Sequence, residues 1–430
     1  MKFIKYPAKD SWENILKRPV FEQGDLEKRV QPIMDAVKQK GDQALKEFGE
    51  KFDKVSLREL LVSKQEIREA KTKVSEKLQK AILQAKGNIE RFHQSQKEPL
   101  KVVETQLGIK CWRKSVAISK VGLYIPGGTA PLFSTILMLG VPASIAGCEE
   151  IILCTPPAKD GSVHPAIIYT ADLLGIKQIF KVGGAQAVAA MAYGTESIPQ
   201  VYKIFGPGNQ YVTMAKQLIG KEGIAIDMPA GPSEVAVVVD ESAPAAFAAA
   251  DLLSQAEHGV DSQVLLVSKS EAKLKEIEEE LEKQLSQLPR EEIARAAIAN
   301  SRSILLKDEA EIVDLINAYA PEHLILAIKN DEEVGEQIQN AGSVFLGHYT
   351  PESVGDYASG TNHTLPTNGF AKAYSGVSLD SFVKKITFQK LNEEGIRNLG
   401  PVVETMAEAE ELVAHAKAVS IRLASLSNES

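Results

Sequence analysis

Hydrophobic and polar positions alternate along this chain in three textures. From about residue 24 to 96, in stretches such as VQPIMDAVKQKGDQALKEF and KLQKAILQAKGNIERF, apolar residues recur three and four apart among charges. That spacing predicts amphipathic helices lying on the surface of something larger. From Val116 short apolar runs (VGLYI, EIILC, QIFKV, YKIF, IAIDM) alternate with helical stretches opening near Pro131, Val163, Ala185 and Asn209. This is the βα alternation of a parallel sheet, and it predicts one unit from about 124 to 231. A second series follows, EVAVVVD, QVLLVS, SILLK, HLILAI and SVFLG, again separated by helices. One of these, ESAPAAFAAADLLSQAEHG, carries Pro near its start and Gly just past its end, which is helix punctuation. The second lobe is expected to recruit the N-terminal helices, so that the middle unit is inserted into it. The tail from about 378 reads as helical, and in MAEAEELVAHAKAVSIRLASL the residues Leu412, Ala416, Val419, Leu423 and Leu426 form one apolar stripe.

Length and composition narrow the class. A chain of 430 residues exceeds one ordinary core and suffices for two large lobes with small appendages. Hydrophobic residues at 44% and charged residues at 25% are the mixture of a folded globular protein. The net charge of −8, from 49 basic and 57 acidic residues, argues against a nucleic-acid or anionic-membrane surface. The opening MKFIKYPAKDSWENIL has no apolar signal region, and no apolar run is long enough for a bilayer. Three cysteines, Cys111, Cys148 and Cys154, fit a reducing compartment and read as buried, inert small hydrophobes. The cytoplasm is therefore expected.

Three strands of the middle unit end in Gly-rich turns that open helices: IPGGTAP (125–131), VGGAQA (182–187) and FGPGNQ (205–210). Backbone N–H groups and a positive helix end at such a turn suit a phosphate. No GxGxxG is present in this region, and any one turn taken alone reads first as a tight connection. Three on one rim point to a nucleotide site, with Tyr124, Gln186 and Asn209 as its best-placed polar side chains.

The seven histidines can be weighed singly. His93 and His164 read as surface residues, and His348, after a strand, fits no single role. Gln255 and His258, three apart in LLSQAEHG, share a helix face near a C-terminus that favours a cation. A His cap beside a surface Gln is the alternative. Asp356 and His363 lie in ESVGDYASGTNHTLP, expected as a long polar loop that could complete a metal shell or hold only an Asx-turn. His415 faces what the C-terminal stripe faces, with Glu411 on its face and Glu410 less so. Glu322 and His323 follow Pro321 at a strand mouth, where an adjacent acid and imidazole can divide proton transfer, or merely end a helix.

The strings VGLYIPGGTAPLFST, KVGGAQAVAA, FGPGNQYV, DMPAGPSEV, DLLSQAEHG, APEHL and GDYASGTNHTLPT, in this order, together resemble histidinol dehydrogenases, and Glu410 and His415 extend the likeness almost to the end. The resemblance implies an α/β fold of two incomplete Rossmann-like lobes with parallel-sheet cores, plus small N- and C-terminal helical segments. The layout expected is an N-terminal segment 1–17, a first lobe of 18–123 with 232–377 on the zinc and substrate side, a second lobe 124–231 on the NAD side, and a C-terminal segment 378–430 that contacts a second subunit. It implies a zinc-dependent, NAD-linked, four-electron oxidation of L-histidinol through L-histidinaldehyde to L-histidine, the last step of histidine biosynthesis. Gln255, His258, Asp356 and His415 resemble the zinc ligands. Ser233, Gln255, His258, His323, Asp356, His363, Glu410 and His415 resemble the substrate contacts, Glu322 and His323 the acid/base pair, and Tyr124, Gln186 and Asn209 the NAD contacts. Glu410 and His415 would come from the neighbouring subunit of a homodimer with a shared site. Rival readings are a same-scaffold dehydrogenase of another small alcohol such as a sulfonated diol, a zinc hydrolase with Glu322 as base, and a non-catalytic NAD-binding protein.

Overall fold

A computed structural model describes residues 1–18, 23–127, 130–229 and 231–427. Gly128 and Thr129 of the first Gly-rich turn, and Ala230 of DMPAGPSEV, lie outside the described residues. By chain contacts the protein divides into two units, one of Met1–Ser95 with Ile118–Phe382, the other of Gln96–Ala117 with the chain from Val383 onward.

The strands run in chain order as β1 (Lys2–Lys5), β2 (Val102–Gln106), β3 (Ile109–Ala117), β4 (Lys120–Tyr124), β5 (Glu150–Cys154), β6 (Gln178–Phe180), β7 (Lys203–Phe205), β8 (Ala225–Ile226), β9 (Glu234–Val239), β10 (Gln263–Ser268), β11 (Arg302–Leu305), β12 (His323–Ala327), β13 (Ser343–Leu346) and β14 (Val383–Leu391). The first unit holds two sheets, ordered β6-β5-β4-β7-β8 and β1-β11-β10-β9-β12-β13, and every pairing in both is parallel. Leaving out β1, each sheet places its own strands in the order third, second, first, fourth, fifth, the strand order of a Rossmann half extended by two strands. The two-lobe α/β expectation holds.

The apolar runs explain why these sheets are covered on both faces. In β9, Val235, Val237 and Val239 enter one core, while Ala236 and Val238 enter another on the opposite face. In the five-stranded sheet Tyr124, Ile152 and Cys154 enter one core, and Val121, Leu123 and Leu153 the other. Burial on both faces produces a near-continuous hydrophobic run in place of alternation.

Three expectations about the layout need correction. The N-terminal helices were placed with the zinc-side lobe, within 18–123, but they cover the five-stranded sheet. Val30, Met34 and Val37 of helix Gln23–Lys40 are fully buried against the Ala-rich helix Gly184–Tyr193, whose small side chains leave room for them. Helices Lys64–Lys73 and Glu76–Gln94 pack on the other side, against Pro165–Leu173 and Phe133–Ala146. The boundary expected at 123/124 also falls within β4, which begins at Lys120. Neither terminal segment is purely helical. Residues 2–5 form β1 on the edge of the six-stranded sheet, and the tail opens with the nine-residue β14.

The second unit is an antiparallel sheet, β14-β3-β2, and two helices, Glu393–Ala409 and Val413–Ser427. Trp112 and Phe388 stack across β3 and β14 with centroids 5.5 Å apart. The tail is therefore not one helix through Glu410 and His415. Glu411 sits at φ 58°, and the Leu412 N–H turns back to the Ala407 carbonyl at 2.8 Å, which closes the first helix as a Schellman turn does. Of the stripe residues, Val419 and Leu423 lie against Gly400 within this unit.

Candidate active site

The site begins where β9 and β12 begin. These neighbours pair His323 with Val235, so Ser233–Glu234 and Glu322–His323 stand together at the amino end of the six-stranded sheet. Open α/β sheets usually bind ligands at the carboxyl ends. The main chain of Glu234 serves both titratable residues. Its N–H donates to Glu322 Oε2 at 2.9 Å, and its carbonyl lies 3.1 Å from His323 Nδ1. A carbonyl only accepts, so Nδ1 carries the proton and Nε2 is the open nitrogen. Glu322 and His323 are 7% and 3% exposed, far from the exposed helix-stop pair that was the alternative.

Helix Ala245–Ala256 brings in the amide and the second imidazole. Gln255 lies in its last turn and is fully buried. His258 lies just past the helix end, its Nδ1 3.5 Å from Ser233 Oγ. The Gln255 amide is satisfied on both sides when its nitrogen donates to Glu352 Oε1 at 2.8 Å and its oxygen accepts from the Glu234 N–H at 3.0 Å. Asp356 was expected in a long loop but sits on the short helix Glu352–Tyr357. Its Oδ1 is 3.3 Å from His323 Nε2, and its carbonyl is 2.8 Å from His363 Nδ1. His363 Nε2 meets Thr135 Oγ1 at 3.1 Å.

The structure thus gathers Ser233, Gln255, His258, Glu322, His323, Asp356 and His363 in one place. Burial drives its electrostatics. It pushes the Glu322 carboxyl up to about 8, and Glu352 likewise. Burial alone would lower the His323 imidazole, but Glu322, Asp356 and Glu352 around it hold it well up, at about 10. Burial would also raise Asp356, but the His323 partner outweighs it and keeps the carboxyl below its ordinary value. Glu352, 1% exposed and bonded to Ser254 at 2.7 Å, escaped the sequence reading, as did Glu234. Nothing in a local pattern marks a carboxylate as buried. His93, expected at the surface, is fully buried, with Nδ1 on the Ile89 carbonyl and Nε2 3.4 Å from Asn362 beside the His363 loop. His164 is exposed and caps helix Pro165–Leu173, while His348 bonds Ser242 at 3.0 Å. Cys154 alone of the three thiols is fully buried; Cys111 and Cys148 are half-buried.

The carboxyl rim of the five-stranded sheet holds a cavity of about 590 Å³ that Tyr124, Gln186 and Asn209 all line, with Arg29, Phe52 and Asp53 from the N-terminal helical region. The last three were not foreseen, because they belong to the helices expected elsewhere. The Gly184 N–H donates to the Tyr124 hydroxyl at 3.2 Å, and burial pushes that hydroxyl up to about 12. Asn209 Oδ1 caps helix Gln210–Lys221 by accepting from the Tyr211 and Val212 N–H groups. Gly206 is required in this rim: its φ is +128°, and a Cβ there would come within 2.0 Å of the Tyr124 carbonyl oxygen.

Glu410 and His415 belong to the second unit, Glu410 closing one helix and His415 in the first turn of the next. Among the described residues no three His, Cys, Asp or Glu side chains of this chain stand together as a metal cluster. His258, Asp356 and the Gln255 amide supply one nitrogen and two oxygen donors. These are donors of the kinds zinc accepts, one short of its usual four.

Comparison with known proteins identifies the scaffold. The family model for histidinol dehydrogenase matches residues 16–423. A histidinol dehydrogenase of Bacteroides thetaiotaomicron is 60% identical over 426 residues, covering 99% of this chain and all of its own. The chloroplastic histidinol dehydrogenase of Arabidopsis thaliana is 52% identical, covering 96% of this chain and 88% of its own. The crystal structure of histidinol dehydrogenase from Elizabethkingia anophelis superposes with a TM-score of 0.97 at 55% identity, with 99% of both chains covered. With these likenesses spanning both sheets, the Glu322–His323 segment and the tail, the chain belongs to the histidinol dehydrogenase family, oxidoreductases of histidine biosynthesis.

Proposed function

We propose that the protein oxidises L-histidinol through L-histidinaldehyde to L-histidine, using two molecules of NAD and a bound zinc ion. The observation that carries this reading is the pairing of Glu322 and His323 on one main-chain residue, beside Gln255, His258 and Asp356. Zinc would be held by Gln255, His258, Asp356 and His415 of the partner subunit. Bound there, it supplies a cationic template for the substrate's imidazole and amine nitrogens and offsets the carboxylate charge around His323. Ser233, His363 and Glu410 complete the substrate contacts. NAD would occupy the rim cavity, against Tyr124, Gln186 and Asn209.

Once the bound cation offsets the carboxylates around it, His323 would be neutral, and it takes the alcohol proton at Nε2, the nitrogen its Glu234 bond leaves open, as hydride passes to NAD. Glu322 then takes a proton from the water that attacks the aldehyde, giving a gem-diol. A second hydride transfer from that diol yields the acid. Each step produces one NADH and one proton. Burial raises the Glu322 carboxyl, which makes its ionised form the stronger base.

A homodimer is supported by the second unit, where Val402, Met406, Leu412, Val413 and Ile421 are all exposed. Among the described residues no helix is long and apolar enough to cross a membrane. We assign the protein to the cytoplasm. Another small alcohol, such as a sulfonated diol, finds no support among the relatives. The decisive assay follows NADH and histidine from L-histidinol and NAD, before and after metal removal. About two NADH per histidine, lost on chelation and restored by zinc, is the expected result. No NADH with NAD and zinc both bound would overturn the substrate, and no NAD requirement would favour a zinc hydrolase.

A further inference from the structure

The acid/base pair rests on Glu234, and Glu234 is itself held by a residue far away in sequence. Arg18 Nε lies 2.5 Å from Glu234 Oε1, and its Nη2 lies 2.8 Å from Oε2, a two-point contact between a guanidinium and a carboxylate. Both side chains are withdrawn from water, at 12% and 2% exposed. The same Nη2 donates to the Tyr319 carbonyl at 2.8 Å and lies 3.3 Å from that of Ala320. The guanidinium also stacks 4.0 Å from the Tyr319 ring centroid. On the other side the Asn368 N–H donates to Glu234 Oε1 at 2.7 Å.

These contacts fall on the two chain segments that deliver the acid/base pair. One is the start of β9, where the Glu234 N–H holds Glu322 and its carbonyl holds the His323 Nδ1 proton. The other is the end of helix Glu309–Tyr319, where Ala320 turns the chain at φ 53° immediately before Pro321–Glu322–His323. Without a donor at that helix end the last carbonyls would be buried and unmatched. Arg18 therefore clamps the strand that orients the pair to the turn that presents it.

We propose that Arg18 and Glu234 form a positioning pair for the reaction, fixing the His323 tautomer and the Glu322 carboxylate together through the Glu234 main chain. This rests on the reading of Glu322 and His323 as the acid/base residues. A buried ion pair is poor grounds for a general stabilising role, because removal from water offsets much of the attraction. Its position, on the very residue whose main chain makes both hydrogen bonds, gives it a geometric role instead.

The test compares holoenzyme carrying Arg18→Met, Arg18→Lys or Glu234→Gln with the wild type, each first checked for folding by thermal melting. Steady-state kinetics are read with L-histidinol and separately with L-histidinaldehyde. For Arg18→Met the expected loss is about 10²-fold in kcat with both substrates, as a misplacement on the order of 1 Å costs, with KM within about twofold of wild type. Arg18→Lys, which keeps the charge on a single donor nitrogen, should recover part of that loss, and Glu234→Gln should fall between. Controls Glu322→Gln and His323→Asn separate the two readings. If both controls stay active, the acid/base assignment fails and the inference with it. If the controls lose activity while folded Arg18→Met and Glu234→Gln keep kcat within about twofold, the positioning role alone is overturned. It is equally overturned if KM rises at constant kcat, or if Arg18→Met and Glu234→Gln both fail to fold, since the pair would then serve binding or general stability.

Discussion

His323 is tied to Glu234 through Nδ1, at 3.1 Å from the main-chain carbonyl, so the nitrogen left for chemistry is Nε2, which faces Asp356. The carbonyl keeps a proton on Nδ1, and the surrounding carboxylates favour the charged ring. Glu322, on the neighbouring residue, is held by the N–H of the same Glu234. The two groups share an anchor but address different atoms, which gives the two oxidations separable sensitivities.

Glu322→Gln keeps the hydrogen bond from the Glu234 N–H but removes the ionisable carboxyl proposed as the base. In single-turnover experiments oxidation of L-histidinaldehyde should slow by about 10²–10⁴-fold, the usual contribution of a general base, while the first hydride transfer changes far less. Equal loss in both steps would assign Glu322 to orientation and not to water activation.

Lys216 and Asp227 form a buried ion pair at the Gly206 turn, with side chains 6% and 1% exposed. Lys216 Nζ also donates to the Gly206 carbonyl at 2.9 Å, and Asp227 accepts from the Gly206 N–H at 2.9 Å. Lys216→Met strands the carboxylate and should cost about 3–5 kcal/mol of stability, read by urea unfolding. The double variant Lys216→Met/Asp227→Asn should regain much of it. A single variant as stable as wild type would show that water reaches Asp227.

Asp251 is buried in helix Ala245–Ala256, and burial alone pushes its carboxyl up to about 7. The folded state therefore prefers the neutral acid. Its pKa is raised from 3.8, so its contribution is fully present below pH 3.8 and is lost as pH rises toward 7. Asp251→Asn cannot ionise. The stability of this variant relative to wild type should rise by on the order of 2–4 kcal/mol between pH 4 and pH 8. Parallel stability curves for the two proteins across that range would show the carboxyl to be ordinary.

What could be read from the chain follows from what local sequence encodes. β9 and β10 are buried on both faces, so 235–239 and 264–267 are apolar without interruption and both strands stand out. Tyr124, Gln186 and Asn209 were found because each adjoins a Gly-rich turn on one rim. β2, exposed throughout as VVETQ, has no core to write an apolar pattern, and it pairs with β3 and not with either parallel sheet. Arg18 and Glu234 are 216 residues apart, and Glu352 meets Ser254 across 98. No spacing rule connects such residues; only the fold does. The break at Glu411 was missed for a simpler reason: it takes a left-handed turn without Gly or Asn to announce it.

The proposed sharing of the zinc site between subunits can be tested by complementation. His258 stands beside Ser233 in the first unit, and His415 opens the last helix of the second. If zinc needs His258 of one chain and His415 of its partner, His258→Asn and His415→Asn homodimers should each lose zinc and activity. Co-expression of the two should restore activity, because every mixed dimer has one site carrying both lesions and one carrying neither. With random pairing about half the dimers are mixed, so about a quarter of all sites are intact. Zinc content and kcat per chain should both recover to about that fraction. Recovery of neither would mean that each chain completes its own site, and the exposed apolar residues of the second unit would then need another partner.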